Sequence, residues 1–561
     1  MRIPKLLFTL LFFTFSSFLS LAQTWNWAKL EKPGGADPSY WQAQDPIVAA
    51  DDSGNIYITG DYFGNYSIAK YNSNGNNVWL SLPAFDSSHT YCHTVSQSGG
   101  NEYVAGVNFG KVVFGKDTLS AHLGGQTFVV KYNSGGKALW ARQSKSIVNC
   151  NTGGQSVASD SVGDVYVSGF FVGTIIFGTD TLSSQTYGVF VVKYDINGNC
   201  LWARAGVNNN AAPYSGCTTI ATDNKGDVFI SGTYGNNDYL IFGKDTLPAT
   251  TASSVFNAFA VKYDLNGNLK WAWSAKMPKG SGRSNAICIS ADNAGNAYIA
   301  GEFSNGTFTI GSITLGPVTK QAPFYAKINS NGTISWAKEC FAWDNNQWQG
   351  DNIATDNLYN NYLLLNTTYF FARNFKISIG TDTFKLNTSS ETADVLVKFD
   401  TAGNVKCGSI FTEGSENDGD GIGVSPSGKY IYVNGDIADT GIFGKDTLYG
   451  ATDYLFLASW EPCDDNTATA IPLTGAQNGN VILYPNPNNG IFTIQANSQQ
   501  LMANGQVEIY NILGEKVYSE SNIQNPTFNI DLSSQPNGIY LYRVLNENGS
   551  LIGEGKVVIA K

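Results

Sequence analysis

Charged side chains are scarce in this sequence. Of its 561 residues 14% are charged, and the net balance is −11. Clustered Lys and Arg, which displace counterions from a nucleic-acid backbone, are missing, so no nucleic-acid partner is expected. Long apolar runs are missing too once residue 22 is passed. The stretch "YLLLNTTYFF" at 362–371 carries Asn and Thr and falls short of the roughly 20 residues a spanning helix needs. No zinc-protease helix motif, nucleophile elbow or phosphate-cradling glycine loop is present. The 3 His offer one cluster, His89, Cys92 and His93 in "SHTYCHT". On a helix the i, i+4 pair could share a metal, but extended chain holds the pair roughly 13 Å apart. No metal or other cofactor is expected, and no catalytic residue is assigned.

Glycine and aromatic residues are plentiful instead, with 60 Gly, 29 Tyr and 32 Phe. That balance favours short strands and tight turns over helices. Residues 1–22, "MRIPKLLFTLLFFTFSSFLSLA", join Arg2 and Lys5 to an apolar run and end in small residues. They read as a signal peptide cleaved before Gln23, with no Cys there for a lipid anchor. Export permits disulfides among the 8 Cys, but their spacing does not fix a pairing.

The hexapeptide "FGKDTL" stands at 114–119, 242–247 and 443–448, with "FGTDTL" at 177–182, "IGTDTF" at 379–384 and "IGSITL" at 310–315. It belongs to a larger repeat. Residues 155–204 contain "SVAS", the turn "DSVGD", the alternating "VYVSGFF", then "VFVVKYD", the turn "NGN" and "CLWAR". Alternating apolar residues between Asx-Gly turns mark antiparallel hairpins. The unit recurs roughly every 45–70 residues. A second-strand glycine returns as Gly60, Gly106, Gly169, Gly232, Gly301 and Gly435, and a fourth-strand Trp as Trp79, Trp140, Trp202, Trp271 and Trp336. The last copy stops after "YLFLASW", while Trp27-Ala28-Lys29 at the other end matches Trp202-Ala203-Arg204. The expectation is an all-β chain: a seven-bladed β-propeller over 23–463, its last blade completed by the N-terminal strand.

The repeated Trp reads as core. An indole removes about 150–250 Å² from water, a gross gain of roughly 4–6 kcal/mol. Cys407 takes the Trp position in copy six, which marks that copy as the weakest. Asp160, Asp223 and Asp292 read as Asx turns rather than calcium ligands, since the later acidic ligand of a calcium loop is missing. The hexapeptide reads as a hairpin, Gly taking the unusual backbone angles and Asp capping the turn.

These copies resemble the propeller repeats of large secreted Bacteroidota proteins called SBBP-type repeats, over about 47–460, on "ATDNKGDVFISG", "FGKDTL" and "KYDLNGNLKWA". The resemblance implies a fold and no catalytic residue. Residues 464–479 are polar and aperiodic and read as a linker; residues 480–561 resume short strands and suggest a small, Ig-like β-sandwich. This module resembles the type A C-terminal sorting domain of the type IX secretion system. The resemblance rests on Tyr484, Pro485, Pro487 and Gly490, on "IYNILGEKV", and on "LSSQPNGIYLYRV" with Gly538 and Tyr540. It implies export through the periplasm to the medium or outer surface, with the secretion machinery and its sortase-like peptidase as partners. Asp-Thr-Leu also resembles an O-glycosylation acceptor of exported Bacteroidota proteins, which implies sugars on Thr118, Thr181, Thr246 and Thr447. Intact mass of the secreted chain with no excess over sequence would remove that expectation.

Function is expected where loops vary on a rigid scaffold. The loop "CFAWDNNQWQGD" places Trp343, Asp344 and Trp348 among amides, which suits a sugar ring; Trp packing the loop down competes with that reading. A non-enzymatic glycan- or protein-binding module is the expected function. The alternatives are a carbohydrate-active enzyme, which needs two carboxylates about 5–10 Å apart, and a structural spacer.

Overall fold

A computed structural model describes residues 25–30, 41–42, 48–463 and 481–561. Breaks fall at 63–64, 86–89, 122–123, 148–150, 209–213, 224, 236–238, 249–254, 278–282, 343–346, 369–374, 380–381, 387–391, 415–417, 438–439, 445 and 451–453, then at 485–487, 497–504, 512–514, 524, 526 and 547–550. The chain divides into two compact units, 1–463 and 464–561. Among the described residues every long element is a strand.

The first unit repeats a four-stranded antiparallel meander. Asn151–Ser159, Val165–Phe177, Asp180–Tyr194 and Cys200–Val207 pair in chain order. Tyr214–Thr222, Val228–Gly235, Phe256–Tyr263 and Leu269–Ser274 do the same. The first turn of each is closed by an Asp. Asp160 Oδ1 accepts from the N–H groups of Val162 and Asp164 at 3.1 and 3.0 Å, and its Oδ2 accepts from the Tyr166 hydroxyl at 3.1 Å. Asp292 repeats all three bonds. These carboxylates close turns. The second-strand glycines face a bulge in the first strand, where a Cβ on Gly169 or Gly301 would lie 1.9 Å from a carbonyl oxygen. Only glycine permits that approach.

Apolar cores lie between neighbouring meanders: Tyr166, Val191 and Trp202 of one pack with Ile220, Val228 and Phe259 of the next. A polar clasp fastens each joint. Trp140 Nε1 donates to Ile196 O at 3.1 Å, Trp202 to Leu265 O at 3.1 Å, Trp271 to Ser330 O at 3.2 Å and Trp336 to Thr401 O at 3.1 Å. Each indole lies on the turn glycine of the next meander, Gly198, Gly267, Gly332 or Gly403. The glycine therefore serves twice, for its left-handed backbone and for the bare face that seats the ring.

The N-terminal strand Trp25–Leu30 pairs antiparallel with Tyr454–Trp460, which pairs in turn with Ile431–Ile437. Trp27 Nε1 then donates to Ser73 O at 3.1 Å, its ring over Gly75. The Tyr432 hydroxyl donates to Gly54 O at 3.0 Å, as Tyr103 does to Gly163 O.

Copy six corrects an expectation. Cys407 does not simply forgo the indole's burial; it forms a disulfide with Cys463, just beyond the strand Tyr454–Trp460. The disulfide makes the joint covalently.

In the second unit, Val481–Tyr484, Ile491–Ala496 and Thr527–Asp531 form one sheet, and Lys516–Ile523, Gly505–Asn511, Gly538–Leu545 and Leu551–Ile559 form another. Phe492, Ile494 and Ile530 of the first share a core with Val507, Ile509 and Val544 of the second, a sandwich.

Candidate functional site

The repeated hexapeptide is fastened into the scaffold. Phe114, Phe177, Phe242 and Phe443 are buried, and Gly115, Gly178, Gly243 and Gly444 have φ of +58 to +59°. The aspartates, expected to cap their own turn, reach the fourth strand. Asp117 Oδ2 accepts from Ala141 N at 2.9 Å and Asp180 Oδ2 from Ala203 N at 2.7 Å, both on the fourth strand, with Arg142 and Arg204 at 3.6 Å. The hairpin also reaches the preceding meander, where Phe242 pairs with Gly206. Thr118, Thr181, Thr246 and Thr447 are exposed on these hairpins.

A cavity of about 740 Å³ lies in the first unit. It is lined by the ends of the first strands of successive meanders, Val48, Val157, Ile220, Ile289, Ile353 and Ile422 among them, and by the turns that follow. It lies at the tight-turn end of these strands, whereas the variable connections were the expected binding region. Part of its hydroxyl lining is cross-linked between neighbours: Ser96 Oγ and Ser159 Oγ share a hydrogen bond of 2.8 Å, and Ser290 Oγ donates to Thr355 Oγ1 at 2.7 Å. Among the described residues no Lys, Arg or His lines it, while Asp51, Asp52 and Asp160 do. The field there disfavours anions.

Two buried carboxyls stand out. Burial pushes Glu102 up to about 7, against the pull of the Lys70 ammonium; burial does the same to Glu302, with Gln321 donating to it. Glu102 is fully buried, without a well-formed hydrogen bond to its carboxylate oxygens. It replaces apolar residues such as Ile56 and Val165 at the same turn position. Both states are protonated below pH 4.5, and only the unfolded chain releases the proton between about 4.5 and 7. Stability should therefore fall across that window, by about 3 kcal/mol from Glu102, and stay lower above pH 7. Glu102→Gln should flatten a urea-unfolding profile taken from pH 4 to 8 and stabilise the first unit at pH 8. An unchanged profile would refute this.

Trp343 and Asp344 lie outside the described residues, as does His89; the backbone of Trp348 pairs with Thr367. Among the described residues no group of His, Cys, Asp or Glu could hold a metal. Sequence reasoning missed Glu102, whose signal was the one acid at a repeat position held elsewhere by Ile56, Val165, Val228, Ala297, Asn361 and Ile431.

In the second unit Tyr484 ends a strand, Pro485 and Pro487 lie outside the described residues, and Gly538 is exposed. Gly490 has φ of +105°, and a Cβ there would lie 2.6 Å from Ser533 Cα. Tyr540 is buried, its hydroxyl donating to Pro536 O at 2.8 Å. Lys516, Tyr510 and Arg543 converge on Glu508 and hold its carboxyl down at about 2.

Residues 482–560 match the secretion system C-terminal sorting domain. A chain with this domain is exported by the type IX system to the cell surface or medium, and the secretion machinery is its partner. Among the described residues no helix is long and apolar enough to cross a membrane. An uncharacterized WD repeat-containing protein of Acanthamoeba polyphaga mimivirus is 26% identical over 204 residues, which is 32% of this chain and only 14% of that protein. Among solved structures, the type-IX secretion component PorZ of Porphyromonas gingivalis aligns over 95% of this chain and 100% of its own, at 10% identity and a TM-score of 0.17. A neuraminidase-like protein of A/little yellow-shouldered bat/Guatemala aligns over 61% and 96%, at 12% identity and 0.31. The WD40 domain of SCAP from fission yeast aligns over 77% and 98%, at 9% identity and 0.28. Likenesses at these TM-scores carry no argument about ligand or activity.

Proposed function

We propose that residues 23–463 form a seven-bladed β-propeller of the SBBP type, closed by its own N-terminal strand once the signal peptide is cleaved before Gln23. In this reading the exported propeller is a non-enzymatic module that binds a glycan or a protein, and the linker 464–479 joins it to the sorting domain, which a sortase-like peptidase removes. The observation that carries it is a cavity lined by the first strands of successive meanders, 48–53 through 422–426. The Trp27 clasp onto the first meander adds support, since it joins the two ends of the chain's repeat. The carboxylates of Asp51, Asp160, Asp292 and Asp356 all close turns, which favours a scaffold over acid–base chemistry there.

A glycan array probed with the exported protein tests the binding role. Retained glycan is the expected result, with loss of signal in a Trp343→Ala, Trp348→Ala double variant if the variable loop is the site. Cleavage of arrayed glycans would instead identify an enzyme.

A further inference from the structure

A strand at the margin of a sheet presents a row of N–H and C=O groups with which another chain can pair. The fourth strand of a meander is such a margin. Ala138–Gln143 pairs with Gln126–Asn133 on one side, and among the described residues no strand pairs with it on the other. Cys200–Val207 pairs with Asp180–Tyr194, and its outer side meets a strand only at Gly206 and Val207. Both margins are also apolar. Leu139 and Leu201 precede the buried Trp140 and Trp202, so they alternate to the outer face, where they are 37% and 52% exposed. The hexapeptide hairpin of the same meander lies against this margin. A Cβ on Gly115 would fall 3.0 Å from Ala138 O, and one on Gly178 2.7 Å from Cys200 Cβ. Asp117 and Asp180 then take the outward N–H groups of Ala141 and Ala203. At the first margin Gln143 adds a lock, donating to Ser120 O at 3.1 Å and accepting from Ser120 N at 3.0 Å.

The other fourth strands show what these aspartates do. At the position of Leu139 they carry Asn26, Lys270, Ser335 and Lys406, polar side chains that discourage pairing unaided. Where Ser335 is the outward residue, the hexapeptide of that meander has Ile313 in place of Asp. Val78, 53% exposed on Asn77–Ser81, is the exception. There Ile56–Tyr62 turns directly into Asn65–Tyr71, and no hexapeptide intervenes to cover the margin. Arg142 and Arg204 stand 3.6 Å from the two carboxylates on the surface, where an ion pair contributes little. The bond to the backbone is therefore the one with a consequence. We propose that Asp117 and Asp180 are edge guards: by occupying the outward N–H groups of Ala141 and Ala203 they keep the strands at 138–143 and 200–205 from pairing with a second copy of this chain. The role is independent of any ligand that the first unit binds.

Sedimentation velocity on the full exported chain tests this, in a Val78→Lys background that silences the uncovered margin. Asp117→Ala, Asp180→Ala should self-associate at least about tenfold more tightly than that background. Asp117→Asn, Asp180→Asn should sediment as the background does, because an amide oxygen still accepts the N–H although the ion pair is gone. Adding Leu139→Lys, Leu201→Lys to the alanine variant should reverse its association, which separates edge pairing from clumping of unfolded chain. An alanine variant that associates no more than the background would overturn the proposal. Association that persists after the lysines are added would do the same, as would an asparagine variant that associates as much as the alanine one.

Discussion

Deleting residues 24–30 is expected to abolish cooperative unfolding of the first unit and to leave an aggregating chain. The strand Trp25–Leu30 covers the edge of Tyr454–Trp460 along its length. Trp25 is 3% exposed and meets Phe411 and Phe443 edge-on, at ring distances of 5.0 and 5.2 Å. Its indole N–H donates to Ser409 Oγ at 3.0 Å. Losing that indole alone removes about 4–6 kcal/mol of apolar burial, comparable to the whole stability of many domains. The deletion also bares a strand edge, which recruits other chains. Calorimetry should show the sorting-domain transition preserved and the larger one lost, and a synthetic peptide of residues 23–32 supplied in trans should restore it. A truncated chain that melts like the full one would show that the strand only decorates the sheet.

Breaking the Cys407–Cys463 bond is expected to cost the first unit up to about 4 kcal/mol by chain entropy, for a sequence separation of 56. Cys407→Ser leaves neither the bond nor an indole at the joint, and Cys407 packs in the cluster that holds Tyr362, Phe411 and Trp460. Urea midpoints of the first unit should fall by similar amounts in the variant and in the reduced native chain. Reductant should then have no further effect on Cys407→Ser. If reduction left the midpoint in place, the joint would be held by packing alone.

Much of the architecture was legible because the repeat is written locally. Asp160, Gly163, Trp202 and Gly267 each report a turn, a backbone angle or a buried ring that neighbouring residues dictate, and recurrence multiplies the signal. Trp27-Ala28-Lys29 stood out for the same reason, and the structure pairs Ala28 with Ala458. What the sequence hid depends on distance. Nothing near Cys407 says that Cys463 ends beside it. Nor does "FGKDTL" say that its Asp reaches a backbone N–H more than twenty residues away. Tyr359 was hidden differently: it stands where the turns of other copies have glycine, and only its φ of +67° reveals that the backbone turn was kept. The loop carrying Trp343 remains a proposal from composition.

The pairing of residues 25–30 with 454–460 also has a consequence in time. Asn26 meets Ser459 across 433 positions of chain. The strand Trp25–Leu30 can therefore be placed only after almost the entire unit has been synthesised. Folding that awaits such a distant contact is slow, and its intermediates offer an unpaired edge meanwhile. The exporting cell must keep this chain apart from its copies until its beginning finds its end.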